Sequence, residues 1–270
     1  MKDVKLIATD MDHTLLTEKG ELPPDFLKYV CELSKLDVLF VIASGRPMYT
    51  LNTIFSELVN KLIFISDNGG AISYKNKSLF TSLISPEDYK EMVSFTKEKT
   101  TGVPILCGLE SAFIERKDKK HVSFLKKFYA KITLVDSISM IDSEANKFTV
   151  YFPDEMSKKY YDESFNPIFS TRFSVTVGDT VWIDIMNKGI DKGQAIKIIG
   201  EKFDIKSSQM MAFGDTYNDI ELLNSVKYSY IVENANKDMK QYAKYMTKSN
   251  DEYGVLHIVK KVIKEKLSEQ

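Results

Sequence analysis

Residues 4–14 read Val-Lys-Leu-Ile-Ala-Thr-Asp-Met-Asp-His-Thr, and the fold is decided there. Residues 4–9 form a short, mostly apolar run, the pattern of a buried strand. Asp10 and Asp12 follow at once. Residues two apart in extended chain point to the same side. Both carboxylates can therefore face the crevice at the carboxyl end of a sheet, where open α/β sheets bind ligands. Two adjacent carboxylates repel each other and need a cation or a proton between them. Taken alone, the pair also fits a turn in which an aspartate caps a helix.

The neighbouring sequence supplies the rest of such a sheet. Pro23 and Pro24 open a helical stretch to Leu36, with Phe26, Val30 and Leu33 on one side. A second buried strand is expected over residues 38–43, a helix from about Pro47 to Val59, and a third strand over 62–65. This β-α-β-α-β order predicts a parallel sheet with crossover helices. A hairpin is expected next, pairing residues 71–74 with 79–83 through Lys75-Asn76-Lys77-Ser78. Ser85-Pro86-Glu87 then starts a helix with serine as its cap.

From there to about Ile185 the rhythm changes. Strand-like runs at 111–115, 147–152 and 172–177 alternate with Lys-rich amphipathic helices, and Gly178-Asp179 is a two-residue hairpin signal. The α/β rhythm returns at Asp191, with a helix to about Phe203, strands at 210–213 and 228–232, a helix near 219–223 between them, and two more helical segments. The expected organisation is a discontinuous core, residues 1–83 plus 186–270, interrupted by an α+β unit over 84–185.

Three more polar clusters follow strands or open helices. Ser44-Gly45-Arg46-Pro47 combines a hydroxyl, a permissive glycine and a helix N-terminus, the elements of an anion site. Lys192-Gly193 opens a helix, and a lysine suits a phosphate as a point charge. Gly214-Asp215-Thr216-Tyr217-Asn218-Asp219 brings two acids and an amide to another strand end. Each alone is explained by an ordinary turn, cap or surface lysine. Together they would line one edge of one sheet with carboxylates, a hydroxyl, a lysine and backbone donors. The oxygen-rich set suits Mg²⁺ better than zinc, and His13, His121 and His257 are dispersed. Metal, lysine and N–H donors are what stabilises a phosphoryl group in flight.

The order Asp-x-Asp-x-Thr, Ser-Gly-Arg, Lys-Gly, Gly-Asp-x-x-Asn-Asp resembles the haloacid dehalogenase-like (HAD) hydrolase superfamily, and more closely its Cof-type phosphatases with a type IIB cap. Asp67-Asn68-Gly69-Gly70-Ala71 and Ser249-Asn250-Asp251-Glu252-Tyr253-Gly254-Val255 resemble two further segments of those proteins. The resemblance implies a Rossmann-like parallel-sheet core with an inserted α+β cap, a Mg²⁺ cofactor and a phosphatase activity. It implies Asp10 as nucleophile and metal ligand, and Asp12 as general acid and base whose main-chain carbonyl touches the metal. It further implies Thr14 as the residue that orders the loop, and Ser44, Gly45, Arg46 and Lys192 around the phosphate. Asp215 would be the second acidic metal ligand, with Asn218 and Asp219 supporting the phosphate and metal shell. The chain departs from the pattern in three places. His13 stands where glycine is usual, Gly70 lengthens the Asn-Gly-Ala segment by one residue, and Glu233 adds an acid to the 232–236 turn.

Composition narrows the classes. The 270 residues, 43% hydrophobic and 28% charged, can bury a core without staples. A net charge of -1 gives no basic field for nucleic acid or an anionic membrane. The run Arg116, Lys117, Lys119, Lys120 is broken by Asp118 and reads as a solvated helix face. No run approaches the roughly 20 apolar residues of a bilayer span. Cys31 and Cys107 make no disulfide framework, and residues 1–3 lead straight into a strand, so a reducing, cytoplasmic setting is expected. The expected partner is a small phosphorylated metabolite, such as a sugar phosphate, a nucleotide or pyridoxal phosphate, bound by a monomer or small homo-oligomer. Two alternatives share these motifs: a phosphotransferase or phosphomutase using the same intermediate, and a catalytically silent metabolite-binding protein.

Overall fold

The computed structural model describes residues 1–268, and within them the strands form one eight-stranded and one six-stranded sheet. The chain begins with β1 (Leu6–Asp10), α1 (Phe26–Lys35), β2 (Leu39–Ala43), α2 (Met48–Ile54) and β3 (Leu62–Ser66). The hairpin β4 (Ala71–Tyr74) and β5 (Lys77–Thr81) completes this half of the first sheet. The second sheet is built from β6 (Val103–Gly108), β7 (Ala112–Glu115), β8 (Ile132–Val135), β9 (Ala145–Tyr151), β10 (Phe173–Val177) and β11 (Trp182–Asn187). Among these strands lie α3 (Pro86–Lys99), before β6, and the short α4 (Val122–Leu125), α5 (Ser157–Tyr160) and α6 (Asn166–Phe169). The chain then returns to the first sheet through α7 (Lys192–Phe203), β12 (Met210–Gly214), α8 (Ile220–Asn224), β13 (Tyr228–Val232), β14 (Tyr245–Thr247) and α9 (Gly254–Leu267).

The first sheet runs β14-β13-β12-β1-β2-β3-β4-β5, parallel from β14 to β3 and antiparallel at the hairpin. Successive crossovers leave β1 in opposite directions, so β1 and β12 flank the point where strand order reverses. Crevices at such points bind ligands. Side-chain alternation buries both faces of the sheet. Ile7, Met211 and Phe213 pack on α1 and α9 residues such as Val30 and Val259, while Leu6, Ala8 and Ala212 pack on Ile196 and Ile199 of α7.

The second sheet, ordered β10-β11-β9-β6-β7-β8, is antiparallel except at β7–β8. One face packs on α3, α5 and α6 through Phe148, Val150, Ile183 and Ile185. Ser85 caps α3, as expected, accepting from the Asp88 N–H at 3.2 Å.

Several local expectations are corrected. The hairpin turn is only Lys75-Asn76, both left-handed, so β5 begins at Lys77. Such a two-residue turn matches the twist of the strands it joins. Conversely, Gly178-Asp179 belongs to a four-residue loop, 178–181. Its carbonyls are taken by a neighbouring segment: Ser157 N–H donates to Thr180 O at 3.1 Å and Phe152 N–H to Val181 O at 2.8 Å. The helix expected over 47–59 stops at Ile54, and β14 is a strand where only helical segments were expected. Strand β11 runs two residues past 185. The basic run forms an exposed 3-10 turn over Arg116–His121, in keeping with a solvated face. Among the described residues, no helix is long and apolar enough to cross a membrane.

The glycine of Lys192-Gly193 has a packing reason. A Cβ there would lie 2.4 Å from the Glu221 carbonyl oxygen of α8. Gly193→Ala is therefore expected to push α7 off α8 and destabilise the fold by about 1–3 kcal/mol, the usual cost of overpacking. A lowered thermal midpoint checks this, and an unchanged midpoint refutes the tight contact.

Candidate active site

All four polar clusters reach the same edge of the first sheet. Asp10 ends β1, Ser44 follows β2, Asp215 follows β12, and Lys192 opens α7. Asp191 caps that helix by accepting from the Gln194 N–H at 2.7 Å, which fixes where Lys192 enters the site. The Lys192 side chain is fully buried and donates to Asp10 Oδ1 at 2.6 Å and to Asp219 Oδ1 at 2.7 Å. The other Asp219 oxygen accepts from the backbone N–H groups of Asp215 (3.0 Å) and Thr216 (3.3 Å). Thr14 donates its hydroxyl to Asp215 Oδ1 at 2.8 Å, tying the loop after β1 to the loop after β12.

One ammonium thus faces three carboxylates. Burial works against the Lys192 charge, but Asp10 and Asp219 outweigh it and hold the ammonium well above its ordinary range. Burial pushes the Asp10 carboxyl up to about 7, against the pull of Lys192 and with help from Asp219 and Asp12. Asp215 is pushed well upward by burial and by the charges of Asp10 and Asp219, against the pull of Thr14 and Lys192. One oxygen from each of Asp10, Asp215 and Asp219 lies within 4.8 Å of the others. An all-oxygen set with uncancelled negative charge fits a hard divalent cation. Asn218 borders this cluster; its amide donates to Asn68 Oδ1 at 3.1 Å, and its own Oδ1 is buried without a partner among the described residues.

Asp12 stands apart from that cluster. Its side chain is 33% exposed and is gripped by the Arg46 fork, Nε to Oδ2 at 2.9 Å and an amino group to Oδ1 at 2.6 Å. Arg46 was expected beside the phosphate; here it orients Asp12 and also donates to the Lys127 carbonyl at 2.7 Å. The loop after β2 has fewer free donors than expected. Ser44 N–H donates to Ile65 O at 2.9 Å and Arg46 N–H to Ser44 Oγ at 3.0 Å, which leaves Gly45 N–H without a partner among the described residues. Gly45 itself packs on Asn68, where a Cβ would sit 3.2 Å from Oδ1.

His13 occupies a left-handed position, φ 59°, the conformation glycine adopts most easily. Its carbonyl accepts from Asn234 Nδ2 at 2.8 Å and its exposed ring meets Glu18 at 3.2 Å, so the strained loop is pinned from outside. Gly70 lies tight against Asn146, whose amide donates to the Gly70 carbonyl at 3.1 Å.

Sequence patterns alone missed the residues that the second sheet contributes. Lys147 and Thr149 project from β9 and Asp184 from β11, all buried. Lys147 donates to the Gly45 carbonyl at 2.5 Å and to Asp184 at 3.1 Å. Thr149 and Asn68 each donate to Asp184 at 2.6 Å. The one available signal was a lysine and a threonine alternating with Phe148 and Val150 in an otherwise apolar strand.

Residues 7–259 match the family described as haloacid dehalogenase-like hydrolase. The chain is 28% identical over 263 residues to the 5-amino-6-(5-phospho-D-ribitylamino)uracil phosphatase YbjI of Escherichia coli, covering 97% of each chain. It is 24% identical over 259 residues to the Bacillus subtilis protein YcsE of the same description, covering 96% of this chain and 95% of that one. The crystal structure of SMU.1108c from Streptococcus mutans superposes with a TM-score of 0.90 at 34% identity, covering 96% of this chain and 98% of that one.

The raised Asp10 carboxyl has a consequence for stability. Unfolded, the group ionises near its ordinary 3.8; folded, it keeps its proton to about 7. Between these values the folded chain binds more protons than the unfolded one, so stability falls as pH rises. In the presence of a chelator, Asp10→Asn should flatten this fall and gain about 1–3 kcal/mol over the native chain at pH 7.5. Thermal unfolding of both proteins between pH 4.5 and 7.5 is the check; parallel curves would contradict it.

Proposed function

Because the chain belongs to the haloacid dehalogenase-like hydrolases, we propose that it is a phosphatase of small phosphorylated metabolites working through Asp10. The observation that carries this is the convergence of Asp10, Asp215 and Asp219 on Lys192 at the strand-order reversal. A bare carboxylate cluster beside one lysine suits a phosphoryl group that arrives with a cation.

The proposed chemistry has two steps. A carboxylate oxygen of Asp10 attacks phosphorus, the bond from phosphorus to the ester oxygen breaks, and Asp12 gives a proton to the departing alcohol. Asp12 then takes a proton from water as that water attacks phosphorus. This releases inorganic phosphate and restores the Asp10 carboxylate. Arg46 aims Asp12 from the side, and Lys192 offsets negative charge beside Asp10. Ser44 and the unpaired Gly45 N–H are suited to hold a phosphoryl oxygen, whereas the free side-chain oxygen of Asn218 can only accept, from a hydroxyl or bound water or toward a cation. Asp10, Asp215, the Asp12 main chain and, in support, Asp219 would hold Mg²⁺, which supplies positive charge against the phosphoryl oxygens when bound.

Residues 84–185, extended to the end of β11 at Asn187, would act as a cap over the organic part of the substrate. Sugar phosphates, nucleotides and pyridoxal phosphate remain the substrate classes of choice. The two relatives named for a phosphorylated ribitylaminouracil add that compound to the set to assay. A cytoplasmic setting is in keeping with such metabolites.

Two measurements test this. Chelation should abolish phosphate release and Mg²⁺ should restore it, with Asp215→Ala raising the Mg²⁺ concentration needed; activity indifferent to chelation would refute the metal site. With 4-nitrophenyl phosphate, Asp10→Asn should stop phosphoenzyme formation and lower turnover by about 10³-fold or more. Asp12→Asn should still form the acyl phosphate, because nitrophenolate leaves without a proton, and should hydrolyse it slowly. Near-normal turnover of Asp10→Asn would remove Asp10 from the chemistry.

A further inference from the structure

The cleft that holds Asp10 and Asp12 encloses about 500 Å³, within the range of cavities that take a whole small organic ligand. A phosphate group alone leaves most of it unfilled. What lines the remainder follows from the alternation of β9 and β11. Lys147, Thr149 and Tyr151 project from one face of β9, and Trp182 and Asp184 from the same face of β11. The register sets Thr149 opposite Asp184 and Tyr151 opposite Trp182. One row is polar and the next is aromatic.

The polar row is engaged internally. Both oxygens of Asp184 accept bonds, from Thr149 on one side and from Asn68 and Lys147 on the other. It fixes the second sheet to the loops around Ser44 and Asn68. In the aromatic row Tyr151 is buried in the core with its ring 5.1 Å from that of Trp182, and Trp182 is the member that lines the cleft. Trp182 is half-buried, with Phe128 edge-on at 5.1 Å and Phe124 stacked at 6.1 Å. Phe128 lies 5.1 Å from the Arg46 guanidinium, the same group that grips Asp12. The wall therefore starts one guanidinium away from the carboxylate that serves the leaving group.

Charge narrows the ligand further. The basic side chains lining the cleft, Arg46, Lys147 and His13, are each paired with a carboxylate, Asp12, Asp184 and Glu18 respectively. Glu18, Glu155 and Asp179 stand farther out on its lining. A second anionic group on the ligand would meet these acids with no unpaired lining cation to receive it.

Resting on the phosphatase reading above, we propose that the substrate is a monophosphate whose organic part is a planar ring. The ring lies on the wall of Trp182 and Phe128 and carries no second phosphate or carboxylate. Aromatic side chains bind such rings by offset stacking and edge contacts. A non-planar sugar makes poorer use of the wall.

The test uses the full chain with Mg²⁺ and measures phosphate release. 4-Nitrophenyl phosphate reports whether the chemistry runs at all; if no ester is hydrolysed, the phosphatase reading fails and this proposal with it. If esters are hydrolysed, kcat/KM should be about tenfold or more higher for pyridoxal 5′-phosphate and riboflavin 5′-phosphate than for glycerol 3-phosphate. Trp182→Leu and Phe128→Leu should each lower that ratio about tenfold, mainly through KM, and Trp182→Phe should recover part of it. Adenosine 3′,5′-bisphosphate should be about tenfold poorer than adenosine 5′-monophosphate, with Glu155→Gln narrowing the gap. Equal kcat/KM for planar and non-planar esters overturns the proposal. So does a loss in the leucine variants that is the same for both classes, since that marks the wall as packing only. A bisphosphate handled as well as the monophosphate overturns the charge restriction.

Discussion

The Lys192 ammonium is fully buried between Asp10 and Asp219, with Asp215 beside them, and the sheet edge is organised around the charge this leaves uncancelled. Burying ionised groups is unfavourable unless each has a partner. A lysine that already serves two carboxylates cannot neutralise a third. The folded chain answers by holding protons on Asp10 and Asp215 well above the ordinary carboxylate range. A divalent cation would replace those protons, since carboxylate ligands must be deprotonated to bind it. The destabilised arrangement is thus the one in which a cation and a phosphoryl group have most to gain.

That arrangement requires exact placement of Lys192, and the surrounding fold provides it in steps. The Asp191 cap starts α7, Gly193 lets the helix approach the Glu221 carbonyl, and Ile196 and Ile199 bury the helix on the first sheet. On the other side, Thr14 holds Asp215 while the Asp219 carboxylate is gripped by two backbone N–H groups. Asp10, Asp215 and Asp219 therefore each have a fixed partner behind them. Such pre-organisation lets electrostatic stabilisation act without reorganisation during the reaction.

The second sheet joins the site through a different device. Lys147, Thr149 and Asp184 are buried polar groups in strands that otherwise pack apolar side chains. Their bonds reach Gly45 and Asn68, the loops at the ends of β2 and β3. Arg46 makes a parallel connection, binding Asp12 with one edge and the Lys127 carbonyl with another. The position of the second sheet and the orientation of Asp12 are in this way mechanically linked.

Much of this was legible in the order of residues. Short apolar runs each followed by a polar cluster dictate parallel strands with their chemistry at one edge, because a parallel sheet aligns all its carboxyl ends. That logic located Asp10, Ser44, Asp215 and the edge they share, and α7 begins at the lysine where the rhythm returns. Turn lengths were less legible. The two-residue turn at Lys75-Asn76 and the four-residue loop at 178–181 depend on backbone handedness and on carbonyls accepted by a distant segment. The three-residue strand β14 is too short to carry a periodic signal. The sequence by itself determined that these carboxylates, the lysine and the hydroxyl reach one sheet edge, since local motifs and sheet direction suffice for that. Only the tertiary structure decided that Arg46 turns to Asp12, that Lys147 and Asp184 close on Gly45 and Asn68, and that Trp182 and Phe128 face the cleft. Those contacts join residues from 34 to 116 positions apart, and their partners are chosen by how two sheets pack, which no local pattern records.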